Sequence, residues 1–249
     1  MREYDLYIFD FDNTLFDTRR GIDAILGHSL PAIGVEYVPT QFSQYLNMDL
    51  EQIYDRYSTV PGSFDEFRRR FIEAMESDSY RVGVPFGDCE ATLRGLRARG
   101  KHVAIASGKV RRKILTLMED NGMSDLPEAV VGYYETERHK PDPEPIALAF
   151  SSFDVPKGRT IYVGDSPKDA EASEAFGIDS AIVNRHNELS VDGIPCTYEL
   201  ESLSELLDWR SDRAPAREPR EEGPGLLHAL LGGLHQEADR LAVAHGYFS

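Results

Sequence analysis

Lysine is scarce in this chain of 249 residues: only Lys101, Lys109, Lys113, Lys140, Lys157 and Lys168 stand among its 27 basic residues, the rest being arginine. Against 43 Asp and Glu residues the net charge is −16, with a pI of about 4.8. Such a balance argues against nucleic acid as the main partner, because phosphate backbones are held by clustered Lys and Arg. It fits either solubility in high salt or an ordinary acidic protein from a GC-rich genome. Cysteine is short as well. Cys89 and Cys196 are too few and too far apart for a disulfide framework, so a reducing cytoplasm is the expected compartment. No apolar run approaches the roughly 20 residues needed to span a bilayer, so no membrane is expected as a partner. Met1 leads straight into a charged, strand-like segment without the basic and apolar regions of an export signal. Internal repeats are lacking too. The length suits one sizeable domain or a core with a smaller insert.

What is present is an alternation. Five short apolar, β-branched or aromatic runs stand out: "YDLYIF" (4–9), "HVAIAS" (102–107), "AVVGYY" (129–134), "TIYVGD" (160–165) and "SAIVN" (180–184). Near-continuous apolar runs read as strands buried on both faces. Helix-like segments separate the last four runs, which predicts βαβ units and a parallel sheet. The segments 90–101 and 169–178 end at Gly100 and Gly177, where helices stop.

The first interval breaks the alternation. No convincing strand lies between Phe16 and about Pro85. Amphipathic helical candidates fill it at 18–34, 49–58 and 63–77. In the last, Ser63 and Glu66 fit a capping box, and Phe64, Phe67, Phe71 and Met75 fall on one stripe. About 70 residues are too many for a connector, so this insert reads as a small helical domain, a lid. The division expected is a catalytic core over 1–15 and 85–210, a helical cap over 16–84, a linker over 211–225 and an amphipathic helix over 226–249. That last helix has leucines near one face and lacks a basic polar face. It reads as docking on the core or on a second subunit, which allows a homo-oligomer.

In open parallel sheets the site forms beyond the carboxyl ends of the strands. Applied here, that rule converges Asp10 and Asp12 from the first run, Ser107, Gly108 and Lys109 from the second, Lys140 after the third, and Asp165 with Asp169 from the fourth. Each group has a plainer reading. Asp10 and Asp12 fit turn formers, Ser107 fits a helix cap, and Lys140 fits a solvated loop lysine. Burying two strand-end acids without a partner is costly, however, and a divalent cation with oxygen ligands resolves the repulsion. Asp165 ends an apolar strand in the same way and is assigned to the metal. Ser166 and Pro167 need no functional account, since they suit an N-cap and a first helical position.

Taken in order, "FDFDNTL", "IASGK", "HKPDPEP" and "YVGDSPKDA" resemble the four motifs of the haloacid dehalogenase superfamily. The likeness is to its phosphatases of the phosphoglycolate-phosphatase type, with a helical C1-type cap, and it covers about residues 4–208. The resemblance implies an α/β fold, a Rossmann-like parallel sheet core with an inserted all-helical cap domain. It implies a magnesium-dependent phosphatase acting on a small phosphorylated metabolite through an aspartyl-phosphate. In that scheme Asp10 is the nucleophile and Asp12 the general acid and base. Magnesium is held by Asp10, the Asp12 backbone carbonyl and Asp165, with Asp169 acting through water. Ser107, Gly108 and the nearby backbone hold the phosphoryl oxygens, and Lys140 offsets charge. Asn13 and Gly108 depart from the commoner glycine and asparagine of these motifs. A phosphomutase of the β-phosphoglucomutase type is the alternative on the same scaffold, and a non-catalytic binding module is the third reading. Arg19, Arg20, Arg68, Arg69 and Arg70 in the insert read as solvated surface arginines rather than substrate ligands.

Overall fold

The computed structural model describes residues 4–39, 44–45, 48–77, 82–185 and 193–207. The expected linker and C-terminal helix lie outside these residues. Six strands form one parallel sheet: β1 (Leu6–Phe9), β4 (His102–Ala106), β5 (Ala129–Val131), β6 (Thr160–Gly164), β7 (Asp179–Val183) and β8 (Tyr198–Leu200), in the order β5-β4-β1-β6-β7-β8. All five runs read from the sequence become strands. β8 goes beyond these runs, since its three residues carry too short an apolar signal for periodicity to detect. The third run is cut short at Val131, and Tyr133–Glu135 turns into a 3-10 helix.

The period of two along each strand sorts side chains onto two buried faces. Tyr7, Phe9, Val103, Ile105, Ile161 and Val163 pack on one face with Leu93 and Leu96 of α4 (Cys89–Ala98) and Ile114 and Met118 of α5 (Arg111–Asp120). Leu6, Ile8, Ala104, Ala106 and Tyr162 pack on the other with Ile146 and Phe150 of α6 (Glu144–Phe150) and Ala172 and Phe176 of α7 (Pro167–Phe176). The sheet is therefore the middle of three layers, which is why its strands read as continuous apolar runs. β1 lies at the centre of the site-forming strands, with Phe9 paired to Ile105 on one side and Val163 on the other. Whatever follows Phe9 thus emerges between the ends of β4 and β6.

The chain leaves the core through β2 (Phe16–Asp17) and returns through β3 (Val84–Pro85), which pair antiparallel. The sequence reading expected no strand here. Two residues per strand give no periodicity, and only the closure of the excursion brings them together. Between them lie α1 (Arg19–Ser29), a 3-10 turn (Leu30–Ile33), α2 (Leu50–Tyr57) and α3 (Phe64–Glu76). The single helix expected over 18–34 changes pitch after Ser29, beside Pro31, and stops at Gly34 with φ of 77°. These helices bury a cluster of their own, built on Leu26, Leu30, Ile33, Ile53 and Phe67, with Phe64 and Phe71 packed against it. The capping box expected at Ser63 is not formed. The Ser63 hydroxyl donates to Val60 O at 2.6 Å, and Glu66 turns to Arg69 and Arg70 instead.

Side-chain contacts also hold the insert's end and its connection to the core. The buried Lys113 ammonium donates to Ser77 O at 2.8 Å, just past the end of α3. Arg185, beyond β7, donates to Thr14 O at 3.2 Å, pairs with Asp88 at 2.9 Å and stacks 4.0 Å over the Phe86 ring. It thereby holds both chains of the connection, one before β2 and one after β3.

Candidate active site

The carboxyl edge of the sheet brings together Asp10 after β1, Ser107 after β4, and Asp165 with Asp169 at the end of β6 and the start of α7. Lys140 arrives from the loop before α6. Asp10 is buried, and its backbone N–H donates to Val163 O at 2.8 Å, which locks it against the neighbouring strand. Asp169 is fully buried and multiply bonded. One carboxylate oxygen accepts from Lys140 Nζ at 2.6 Å. The other accepts from Asp165 N at 3.2 Å, Ser166 N at 3.0 Å and Ser166 Oγ at 2.7 Å. Gly164 makes this possible: a Cβ there would lie 2.4 Å from the Asp169 carboxylate carbon. Ser166 and Pro167 open α7 as the sequence suggested.

Lys140 stands largely buried among acids rather than solvated. Its Nζ lies 2.9 Å from Asp10 Oδ1 and donates to Asp169 and to Tyr162 OH, the latter at 2.8 Å. Tyr162 OH passes its own hydrogen to Ala106 O at 2.7 Å. Burial pulls the Lys140 pKa down, but Asp10 and then Asp169 outweigh it and hold it well above the ordinary lysine value. Burial pushes the Asp10 carboxyl up to about 6; Lys140 works against that rise, while Asp169 and Asp12 add to it. Asp165 is raised well above the usual carboxylate range by burial first, then by Asp169 and Asp10.

Asp10, Asp165 and Asp169 each bring a carboxylate oxygen to within 4.8 Å of the others. Asp10 Oδ1 is buried, with the Lys140 ammonium 2.9 Å away as its charged neighbour. Three carboxylates facing one lysine leave an excess of negative charge under the surface. Oxygen donors at this spacing and that excess both fit a hard divalent cation.

Asp12 is set apart from this cluster. Its carboxylate accepts from Lys109 Nζ at 2.8 Å, and both side chains remain partly accessible. Asn13 follows with φ of 57°, the left-handed region that glycine favours and asparagine tolerates best among other residues. That conformation explains why asparagine can stand where the motif commonly has glycine. Thr14, fully buried, reaches Asp165 Oδ1 at 3.5 Å.

Ser107 is buried at the end of β4, where its hydroxyl accepts from Lys109 N at 3.3 Å. It does not cap α5, which begins at Arg111 with Val110 as its cap residue. Gly108 is exposed, and a Cβ there would meet nothing within 4 Å, so the position has room for the commoner asparagine.

In the insert, Arg19 is paired with Asp17, Arg69 with Glu66 and Glu73, and Arg70 with Glu66, all at exposed or half-exposed positions. Three contributors escape a reading of the sequence: Thr14, Tyr162 and Arg185. For Tyr162 a weak signal exists, a hydroxyl inside an otherwise apolar run. Lys109 is named with the end of the second run but is given no role there. Arg185, just beyond β7, carries no signal.

A family model described as haloacid dehalogenase-like hydrolase matches residues 7–183. Phosphoglycolate phosphatase of Aquifex aeolicus is 26% identical over 183 residues, covering 70% of this chain and 82% of that protein. Pyrophosphatase PpaX of Bacillus pumilus is 26% identical over 177 residues, covering 70% of this chain and 80% of that protein. The structure of a haloacid dehalogenase-like protein from Bacteroides fragilis superposes with a TM-score of 0.72 at 26% identity, covering 82% of this chain and 100% of that one.

Proposed function

This chain belongs to the haloacid dehalogenase-like hydrolase family, and from that premise we propose that it is a magnesium-dependent phosphatase of small phosphate esters. The observation that carries the reading is the convergence of buried Asp10 and Asp169 with partly buried Asp165 and Lys140, three carboxylates around one ammonium. Relatives that act on phosphoglycolate and on pyrophosphate, by their names, support a phosphoryl substrate.

In this reading Asp10, the Asp12 backbone carbonyl and Asp165 would hold the metal, with Asp169 as a further carboxylate beside it. When bound, the divalent ion neutralises charge on the phosphoryl oxygens and on the carboxylates around them. Asp10 attacks phosphorus, and the bond from phosphorus to the ester oxygen breaks. That oxygen takes its proton from Asp12 as it leaves. Water then attacks the phosphorus of the aspartyl-phosphate and passes a proton back to Asp12. Phosphate departs and Asp10 is again a carboxylate. Ser107 and the N–H groups beside it hold the phosphoryl oxygens. Lys140, kept protonated by Asp10 and Asp169, opposes the negative charge that gathers there. In this reading the helical insert excludes water and selects the substrate.

The test is a panel of phosphate monoesters that includes 2-phosphoglycolate, together with pyrophosphate, assayed with magnesium and with EDTA. Magnesium-dependent phosphate release supports the reading. Conversion of a sugar phosphate to its isomer without phosphate release would replace it with a mutase. No turnover of any compound would defeat it.

A further inference from the structure

Asp12 has a neighbour to which the mechanism above gives no task. Lys109 Nζ sits 2.8 Å from Asp12 Oδ1, across 97 positions of sequence. Among the described residues, Asp12 Oδ2 receives no hydrogen bond. One oxygen is thus tethered and the other left open. The tether is charged and partly desolvated, with 13% of the Lys109 side chain and 25% of the Asp12 side chain exposed. Lys140 cannot share this work, since its ammonium is committed to Asp10, Asp169 and Tyr162.

The base of the lysine is itself held. Lys109 N donates to Ser107 Oγ at 3.3 Å, and Lys109 O accepts from Tyr133 N at 3.0 Å. Gly132 lies so close that a Cβ on it would approach Lys109 O to 2.7 Å and Arg111 N to 2.4 Å. Further out, the ammonium lies 5.9 Å from the centre of the Phe11 ring, a cation over an aromatic face. A lysine fixed at its backbone and held over a ring is a rigid arm rather than a sweeping one. Asp12, by contrast, stands on a turn beside the left-handed Asn13, where its carboxylate would otherwise sample several rotamers.

We infer that Lys109 is a positioning residue, whose ammonium fixes Asp12 by Oδ1 and so presents Oδ2 to the leaving oxygen of the substrate. The inference rests on the phosphatase reading and adds a residue to it. A competing role for the same ammonium is direct contact with the phosphoryl group. The two differ in what they ask of the leaving group. An alkoxide needs a proton as it departs; a nitrophenolate does not. A residue that orients the acid matters for the first and little for the second, whereas one that binds the phosphoryl group matters equally for both.

The experiment compares wild type and Lys109→Met on 2-phosphoglycolate and on 4-nitrophenyl phosphate, with magnesium. The quantity read is kcat/KM, which reports the step that releases the leaving group. Expected is a loss of about 10- to 100-fold on the alkyl ester and less than about 3-fold on the nitrophenyl ester. In an Asp12→Asn background the same lysine substitution should cost nothing further on the alkyl ester, because there is no acid left to orient. Equal losses on the two esters, or an additional loss in the Asp12→Asn background, would overturn the inference and leave the phosphatase reading standing. A wild-type chain inactive on both esters and on the wider panel would overturn the two together. Should Lys109→Met fail to fold, judged by its thermal midpoint, Lys109→Gln carries the same comparison.

Discussion

At the carboxyl edge of the sheet, Asp10 and Asp169 are buried and Lys140 largely so, and their ion pairs join segments far apart in the chain. On α3 of the insert, Glu66, Arg69, Arg70 and Glu73 form pairs of the same chemical kind, but they lie in water and join residues three or four apart on one helix. The surface pairs bring modest Coulomb energy in high dielectric and are screened by salt. The buried group has lost its water, carries more acid than base and shifts the protonation of its members. Residue type therefore says little about what a charge does here. Burial and the sequence distance of its partner say most of it.

The comparison breaks first at Asp10. Asp10→Asn should keep the fold and lower kcat by about 10⁴-fold or more, because the nucleophile proposed above would have no substitute in the site. Steady-state kinetics with a thermal melt as control will check this. Substantial residual turnover would remove Asp10 from the role of nucleophile and reduce the cluster to a structural one.

The next largest effect is on stability against pH. The Asp10 carboxyl is raised to about 6 from its ordinary 3.8. The folded, metal-free protein therefore binds more protons than the unfolded chain between these values. The stability this contributes is fully present below about pH 4 and is lost as the pH rises through about 6. Asp165, also raised, extends the loss upward. Melts in EDTA should show wild type losing ground to Asp10→Asn across that window, on the order of 5 °C. Excess magnesium should restore more at pH 7 than at pH 5, since it competes with protons for the same oxygens. A wild-type midpoint that keeps pace with Asp10→Asn at every pH would mean that Asp10 is not strained by burial.

A smaller effect sharpens the contrast. Tyr162→Phe leaves Ala106 O and Lys140 Nζ each short of one partner in a buried place. It should cost about 1–2 kcal/mol in urea denaturation and lower kcat a few-fold through a looser Lys140. No change in either would show that Lys140 is held by its acids alone. The smallest effect belongs to the surface. Arg69→Ala should leave both the thermal midpoint and kcat/KM where they were, since its pairs to Glu66 and Glu73 are exposed. A clear loss of substrate affinity would place Arg69 in recognition and give the surface pairs a functional role as well.

Much of the fold could be read without coordinates, for one physical reason. Strands buried on both faces must be apolar throughout, so β1, β4, β5, β6 and β7 announce themselves as runs. The helices of the insert show their periodicity because they bury one stripe, as Phe64, Phe67 and Phe71 do. The acids Asp10, Asp12 and Asp165 were legible because a carboxylate ending an apolar run conflicts with its surroundings. The two-residue strands β2 and β3 and the three-residue β8 are too short to show a period. Ser63 and Ser107 misled for a related reason. A hydroxyl before a helix fits a cap by position alone, yet Ser63 bonds Val60 and Ser107 bonds Lys109.

By itself, then, the sequence determined the five longer strands of the sheet and the helical character of the insert, the order in which the strand ends carry chemistry, and a family resemblance that the comparisons bear out. Those properties depend on local periodicity and on residues near one another in the chain. The partners of the charges were decided only in three dimensions: Lys140 against Asp169, 29 positions away, Lys109 against Asp12, and Arg185 against Thr14, 171 positions away. Each such pair depends on the order β5-β4-β1-β6-β7-β8, which puts β1 between β4 and β6 and brings distant strand ends to one edge. Coulomb and hydrogen-bond energies depend on distance in space, which strand order sets.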